Sequence, residues 1–344
     1  MGVQITELLV GNSIKIEDLA GKIIAIDSFN HLYQFLTTIR QRDGTPLMDR
    51  HGNVTSHLSG LFSRTVNLLE NNIRPVYVFD GKAPELKLKE RERREGLKKK
   101  AEEKYKVAVE KEDVDEMKKY AGRTSRLTRE MIEEAKQLVE ALGLPVVQAP
   151  SEGEAQAAFL VAEGRAYAVA SQDADSLLFG ASKLIRNLSI SGRRRRGATL
   201  TYEQIQPELI ELNKTLEALK ITREQLIVLS ILVGTDYNQG GIKGIGPKNA
   251  LKLLHEHGEN FDKIFSEVKW TEHHSIDWKK ILDLFLHLPV EKDCRLRWLE
   301  PDEGKLREIL VEKHDFSSER ILSSLQKLQL SKKKIMQKGL GEFL

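Results

Sequence analysis

Along the chain, short unbroken apolar runs alternate with longer segments whose apolar positions recur every three or four residues. KIIAIDS (22–28), PVYVFDG (75–81) and YAVASQDAD (167–175) read as buried strands, and each ends in acid: Asp27, Asp80, and Asp173 with Asp175. A fourth run, LPVVQAP (144–150), leads directly to Glu152. SHLSGLFSRTVNLLENN (56–72) and TREMIEEAKQLVEALG (128–143) carry the helical period instead. Strands that alternate with helices predict an α/β fold, a mostly parallel central sheet flanked by helices. Ligands bind such sheets beyond the carboxyl ends of the strands, so the architecture itself would collect these acids.

Three segments interrupt the alternation. From Lys82 to about Arg126 the chain is highly charged, as in LKLKERERREGLKKKAEEKYK, and poor in core-forming residues. Such a run is usually a solvated helical face; its length also suits a basic helical lid over the sheet. In LIRNLSISGRRRRGATLTY (184–202), Arg193 to Arg196 are expected at the tip of a hairpin. TDYNQGGIKGIGPKNALKLL (235–254) follows the apolar helix QLIVLSILVG and predicts a helix–hairpin–helix element. We therefore expect one domain over 1–330, with an N-terminal part of about 1–100 and a lid of about 82–126. An internal part of about 127–234 and the helix–hairpin–helix at about 235–260 complete it, and 331–344 forms a flexible tail.

Composition narrows the class. Hydrophobic residues make up 40% and charged residues 31%, as in a water-soluble globular protein, and no apolar run is long enough to span a bilayer. MGVQITELLV shows no secretory signal, and an intracellular protein is expected. Gly2 and Thr6 match the loose myristoylation pattern, which carries little weight alone. The single cysteine, Cys294, excludes an intrachain disulfide and suits a reducing interior. A net charge of +3 is modest, because the acids offset basic segments that would otherwise stand out.

The acids carry the candidate chemistry. Ser151 to Glu154 fits a capping box, but that leaves Glu152, Asp173 and Asp175 unexplained. Adding Asp236 gives Asp27, Asp80, Glu152, Glu154, Asp173, Asp175 and Asp236 as one candidate set. Two carboxylates about 4 Å apart repel by roughly 4 kcal/mol at an effective dielectric near 20. Several such pairs need cations. Oxygen donors without a Cys or His cluster select Mg²⁺ or Mn²⁺ over Zn²⁺, and the number of acids suits two ions, the arrangement that hydrolyses phosphodiesters. GIKGIGPKNA (241–250) adds a phosphate grip: a turn at Gly244 and Gly246 opening a helix, beside Lys243 and Lys248. Together with the basic lid and the arginine run, this is a nucleic-acid footprint.

IAIDSFNHLYQFL, VYVFDGKAPELK, APSEGEAQAAFL, ASQDADSLLFG and GTDYNQGGIKGIGPKNA carry a resemblance that runs almost end to end. The chain resembles the structure-specific flap endonucleases of the xeroderma-group-G nuclease superfamily, most closely the archaeal form. The resemblance implies Mg²⁺-dependent cutting of branched DNA at 5′ flaps, with weaker 5′-to-3′ exonuclease activity, in Okazaki-fragment maturation and base-excision repair. It puts all seven acids on metal-ligand positions: Asp80, Glu152, Glu154 and Asp173 for the first ion. Asp173, Asp175 and Asp236 serve the second, with Asp27 in an outer shell. Lys87 and Arg94 match the family's catalytic cations, and Tyr33 a base-stacking aromatic whose plain alternative is a core tyrosine. Arg40 and Thr55 to His57 match the region that holds duplex ends and a short 3′ flap, and Gly2 would lie near the active site. Gln337, Leu340, Phe343 and Leu344 match the peptide that binds the sliding clamp PCNA, with Leu344 where a second aromatic is common. It further implies a monomer that binds no membrane, cytoplasmic if archaeal and nuclear if eukaryotic. A processive exonuclease and a non-catalytic clamp-tethered DNA binder are the rival readings; the second gains nothing from so many anions.

Overall fold

The computed structural model describes residues 3–111, 113–188, 193–195 and 202–341. Its strands are β1 (Gly11–Ser13), β2 (Ile23–Asp27), β3 (Arg74–Phe79), β4 (Val146–Gln148), β5 (Ala168–Ala170), β6 (Lys183–Arg186), β7 (Arg193–Arg195), β8 (Tyr202–Gln204) and β9 (Glu208–Glu211). Helices flank a mixed, mostly parallel seven-stranded sheet in the order β1-β9-β6-β5-β2-β3-β4, as the alternating pattern predicts. The chain divides into two compact units, Met1–Ile16 with Asp80–Arg91 and Gln148–Lys292, and Glu17–Phe79 with Glu92–Val147 and Asp293–Leu344.

In the first unit β5 and β6 are parallel, with Val169 opposite Leu184, whereas β9 runs antiparallel to β6 and β1. Ala168, Val169 and Ala170 are fully buried, so this run has no polar alternation to show. Helix Arg223–Val233 begins in a full capping box, Thr222 Oγ1 accepting the Gln225 amide and Gln225 Oε1 accepting the Thr222 amide. Near the end of this unit Phe265 stacks on Trp278 at 4.2 Å and meets Trp270 edge-on at 5.2 Å.

In the second unit β2 and β3 are parallel, Ile23 opposite Arg74 through Asp27 opposite Val78. Helix Ser56–Glu70 packs Leu58, Leu61 and Phe62 into the core. Helix Arg129–Ala141 starts where Thr128 Oγ1 accepts the Met131 amide at 3.3 Å. Trp298 donates its indole N–H to the Pro75 carbonyl at 3.2 Å, with the Arg74 guanidinium 4.0 Å from its ring centre. The charged segment is helical, Leu88–Glu110 and then Val114–Ala121, belongs to this unit from Glu92 onward, and leaves Leu97 and Val107 exposed.

Two expectations change. Arg193 to Arg195 lie within β7, Arg193 opposite Gln204 in β8, rather than at a hairpin tip; Arg196 is outside the described residues. The tail expected from 331 onward continues helix Ser318–Gly341 as far as 341, with no Gly or Pro to interrupt SKKKIMQK and the helix running on through Gly339. Among the described residues, no helix is long and apolar enough to cross a membrane.

Candidate active site

In the first unit the backbone brings Asp80 and Glu152 together. Gly81 donates to the Ser151 carbonyl at 2.6 Å and Lys82 to that of Pro150 at 3.2 Å, so the two segments run side by side. The approach requires glycine: a Cβ at Gly81 would meet the Ala149 oxygen at 2.2 Å. Helix Gly153–Ala162 then starts with its first amide donating to Asp80 Oδ1 at 2.6 Å. Glu152 is the N-cap residue and makes no side-chain cap, while Ser151 Oγ donates to the Lys82 carbonyl at 3.2 Å. The capping box expected from Ser151 and Glu154 is therefore not formed. Asp80 takes the role, because it reaches the helix start from another strand end.

Asp173 and Asp175 follow β5. Ser171 Oγ accepts the Asp173 amide at 3.2 Å, and Asp175 opens helix Asp175–Leu178. Asp175 Oδ1 accepts the Val3 amide at 2.8 Å, which ties the chain start to this carboxylate. Gly2, expected nearby, is outside the described residues. Asp236 sits in a tight turn after helix Arg223–Val233, where Thr235 Oγ1 donates to Asn238 Oδ1 at 2.7 Å and Asn238 Nδ2 to the Ile231 carbonyl at 2.7 Å.

Lys87 joins these acids. Its Nζ stands 2.7 Å from Glu152 Oε1 and 3.2 Å from Asp236 Oδ2. Burial disfavours the ammonium, but Glu152, Asp236 and Glu154 outweigh it and hold Lys87 firmly charged. Lys87 does not offset the burial of Asp80 and Asp175. Burial pushes Asp80 up to about 6 despite the Gly153 amide and Lys87, with Glu152 adding repulsion. Burial likewise pushes Asp175 up to about 7 against the Val3 amide, with Asp236 and Asp173 repelling it. Tyr237, which sequence reasoning passed over, is buried beside Glu152, Asp175 and Glu154, and burial with these anions raises its phenol far above the usual range. Its position directly after Asp236 was the available signal.

The donor set suits a hard divalent cation in chemistry: carboxylate oxygens, electrostatically linked and short of positive charge. Among the described residues, no three His, Cys, Asp or Glu side chains already stand close enough to hold an ion. Glu152 and Asp236, which would share in binding ions, share the Lys87 ammonium instead.

The other candidates fall into place singly. Asp27 closes β2 in the second unit and is buried; its Oδ1 accepts the Asn30 amide at 3.1 Å as an N-cap, and its carbonyl faces His31 Nδ1 at 2.9 Å. Arg94 lies half-buried on lid helix Leu88–Glu110. Tyr33 is half-exposed rather than a core tyrosine, with Lys98 Nζ 3.4 Å from its hydroxyl and 5.0 Å from its ring centre. Arg40 donates to the Gly44 carbonyl at 2.8 Å and to Ser125 Oγ. Lys243, Gly244, Gly246 and Lys248 are all exposed, and Gly246 caps helix Pro247–His257. Thr55, Ser56 and His57 are buried, so their side chains are not a ready DNA surface. Gln337 and Leu340 fall in helix Ser318–Gly341, whereas Phe343 and Leu344 are outside the described residues.

Two family models match the chain, the XPG N-terminal domain over residues 1–101 and the XPG I-region over 143–236, and they set its class as an XPG-type nuclease. It is 53% identical over 332 residues to flap endonuclease 1 of Staphylothermus marinus, covering 95% of this chain and 94% of that one. To flap endonuclease 1 of Pyrococcus furiosus it is 51% identical over 329 residues, covering 96% and 95%. The chain belongs to the flap endonuclease 1 family, whose members are metal-dependent nucleases. Its fold matches flap endonuclease-1 from Methanococcus jannaschii with a TM-score of 0.75 at 42% identity, covering 96% of this chain and 98% of that one. The catalytic core of Rad2 in complex with DNA substrate shares the fold at a TM-score of 0.65 and 23% identity, covering 94% and 96%.

Proposed function

We propose that this nuclease hydrolyses a phosphodiester at the base of 5′ single-stranded flaps in branched DNA, with 5′-to-3′ exonuclease activity as a lesser action. The observation that carries the reading is the buried acid cluster in which one ammonium, Lys87, serves Glu152 and Asp236 while Asp80 and Asp175 remain short of compensation. Two Mg²⁺ ions, replaceable by Mn²⁺, fit that deficit, and when bound they would lower the pKa of an attacking water and neutralise developing charge. Asp80, Glu152, Glu154 and Asp173 would hold one ion. Asp173, Asp175 and Asp236 would hold the other, with Asp27 supporting from outside.

Lys87, once released from the carboxylates, steers the scissile phosphate, and Arg94 stabilises charge on it. Lys243, Lys248 and the backbone at Gly244 and Gly246 grip duplex phosphates. Tyr33 offers its ring to a base near the cut, and Arg40 holds the duplex end. Both units serve one nuclease domain, 1–330. Gln337, Leu340, Phe343 and Leu344 supply the sliding-clamp contact, and the protein acts as a monomer inside the cell, in Okazaki-fragment maturation and base-excision repair.

The test is to cut a labelled 5′-flap substrate and a blunt duplex side by side, with and without Mg²⁺, and map the products. Cleavage at the branch, dependent on Mg²⁺ and faster than loss of the blunt duplex, is expected. Faster degradation of the blunt duplex would establish the processive exonuclease instead.

A further inference from the structure

A second buried ionic cluster lies away from the acids just described in sequence and plays no part in the chemistry proposed for them. Asp49 opens a turn and accepts three donors: the His51 and Asn53 amides on Oδ1 and Asn53 Nδ2 on Oδ2, each at 2.9 Å. His314 stands with Nδ1 3.1 Å from Asp49 Oδ2 and Nε2 3.1 Å from Glu134 Oε1. A neutral imidazole carries one N–H, so an imidazole facing a carboxylate on both nitrogens is held as the imidazolium. The other Glu134 oxygen, Oε2, is 3.5 Å from Nε2 of the fully buried His57. Next to it Asp315, in the left-handed region at φ 57°, accepts the Arg50 amide at 2.8 Å and pairs with Arg50 Nε at 3.3 Å. Lys313 is occupied by Glu308 at 3.2 Å.

We propose that His314 is a positioning residue whose imidazolium clasps the Asp49 turn to Glu134, holds segment 49–57 in shape for DNA, and lets it loosen on losing its proton. The role in DNA binding rests on the resemblance stated above, which puts Thr55 to His57 in the region that holds duplex ends, and acts through the segment's shape rather than those buried side chains; the clasp itself does not rest on it. The residues joined are far apart in sequence, on the turn, on helix Arg129–Ala141 and just after 307–313, so the proton closes a long-range contact. The hydrogen bond to Glu134 raises His314 above its ordinary value, with burial opposing and Asp49 assisting. Its partners move the other way: the hydrogen bond from His314, with the His57 imidazole close by, brings Glu134 down to about 2. For Asp49, burial works upward but donors from Asn53, His314 and His51 prevail. A histidine raised on folding stabilises fully below about pH 6.5, and that contribution disappears as pH climbs through the raised value.

The test compares the full chain with His314→Gln, which keeps polarity and loses charge. Amide hydrogen exchange is read at Asn53 and Thr55, corrected for intrinsic pH dependence, and KM and kcat are measured on a branched duplex. Exchange in the variant should run roughly tenfold faster and be flat with pH, while the wild type approaches it as pH rises. KM should rise severalfold with kcat unchanged. Should the variant fail to fold, titration of the wild-type His314 ring by NMR, together with Asn53 exchange over the same pH range, still decides the matter. Equal protection in both proteins, or wild-type exchange indifferent to that titration, overturns the clasp. Altered exchange with unaltered KM overturns its role in DNA binding, and neither result bears on where flaps are cut.

Discussion

Lys87 and His314 each stand between two carboxylates, Glu152 and Asp236 in one case, Asp49 and Glu134 in the other. The two acids that face His314 are both drawn down, Glu134 to about 2, since its oxygens face two imidazoles and Asp49 receives turn amides as well. Near Lys87, Asp80 goes up to about 6 and Asp175 to about 7, since burial outweighs one amide each and the ammonium. The first arrangement is saturated and builds structure. The second is deficient in positive charge, a condition that costs stability and invites cations.

The contrast can be broken most severely at Asp173. Asp173→Asn should lower cleavage by roughly 10³-fold while leaving DNA binding measurable; turnover at the wild-type rate would remove this carboxylate from the chemistry. In the saturated cluster the effect belongs to stability. Asp49→Ala strands His314 and the turn amides, and should destabilise the fold by about 3 kcal/mol in denaturant titration. A change below about 0.5 kcal/mol would make that network ornamental. The smallest effect has the opposite sign. Without divalent ions at pH 8, Asp175→Asn removes an under-compensated charge and should stabilise by about 1 kcal/mol. The same variant should show a smaller rise in Tm on adding Mg²⁺ than the wild type. Loss of stability instead would mean that the Val3 contact outweighs the repulsion.

Much of the deficient cluster was legible in the sequence, because apolar runs that end in acid announce both a strand and what lies beyond it. β2 and β5 fall within 22–28 and 167–175, β3 starts one residue ahead of 75–81, and Asp80, Asp173 and Asp175 follow as expected. Local patterns misled where a distant group competed. Ser151 and Glu154 have capping-box spacing, yet Asp80 reaches the Gly153 amide first. Lys87 reads as a phosphate ligand, and its ammonium stands against the carboxylates of Glu152 and Asp236. The saturated cluster left no pattern at all, since Asp49, Glu134 and His314 meet only through tertiary folding. Thr55 to His57 were picked out for DNA from the resemblance, and the burial of all three is a tertiary outcome that the local sequence did not announce.

The three tryptophans offer a practical handle on how the two units behave. Trp270 and Trp278 belong to the aromatic stack of the first, and Trp298 is bonded to Pro75 in the second. Intrinsic fluorescence from chains that keep only Trp298, or only the stacked pair, therefore reports each half separately during melting. Coincident curves would mark a single cooperative transition, and separated curves a molecule that comes apart in stages.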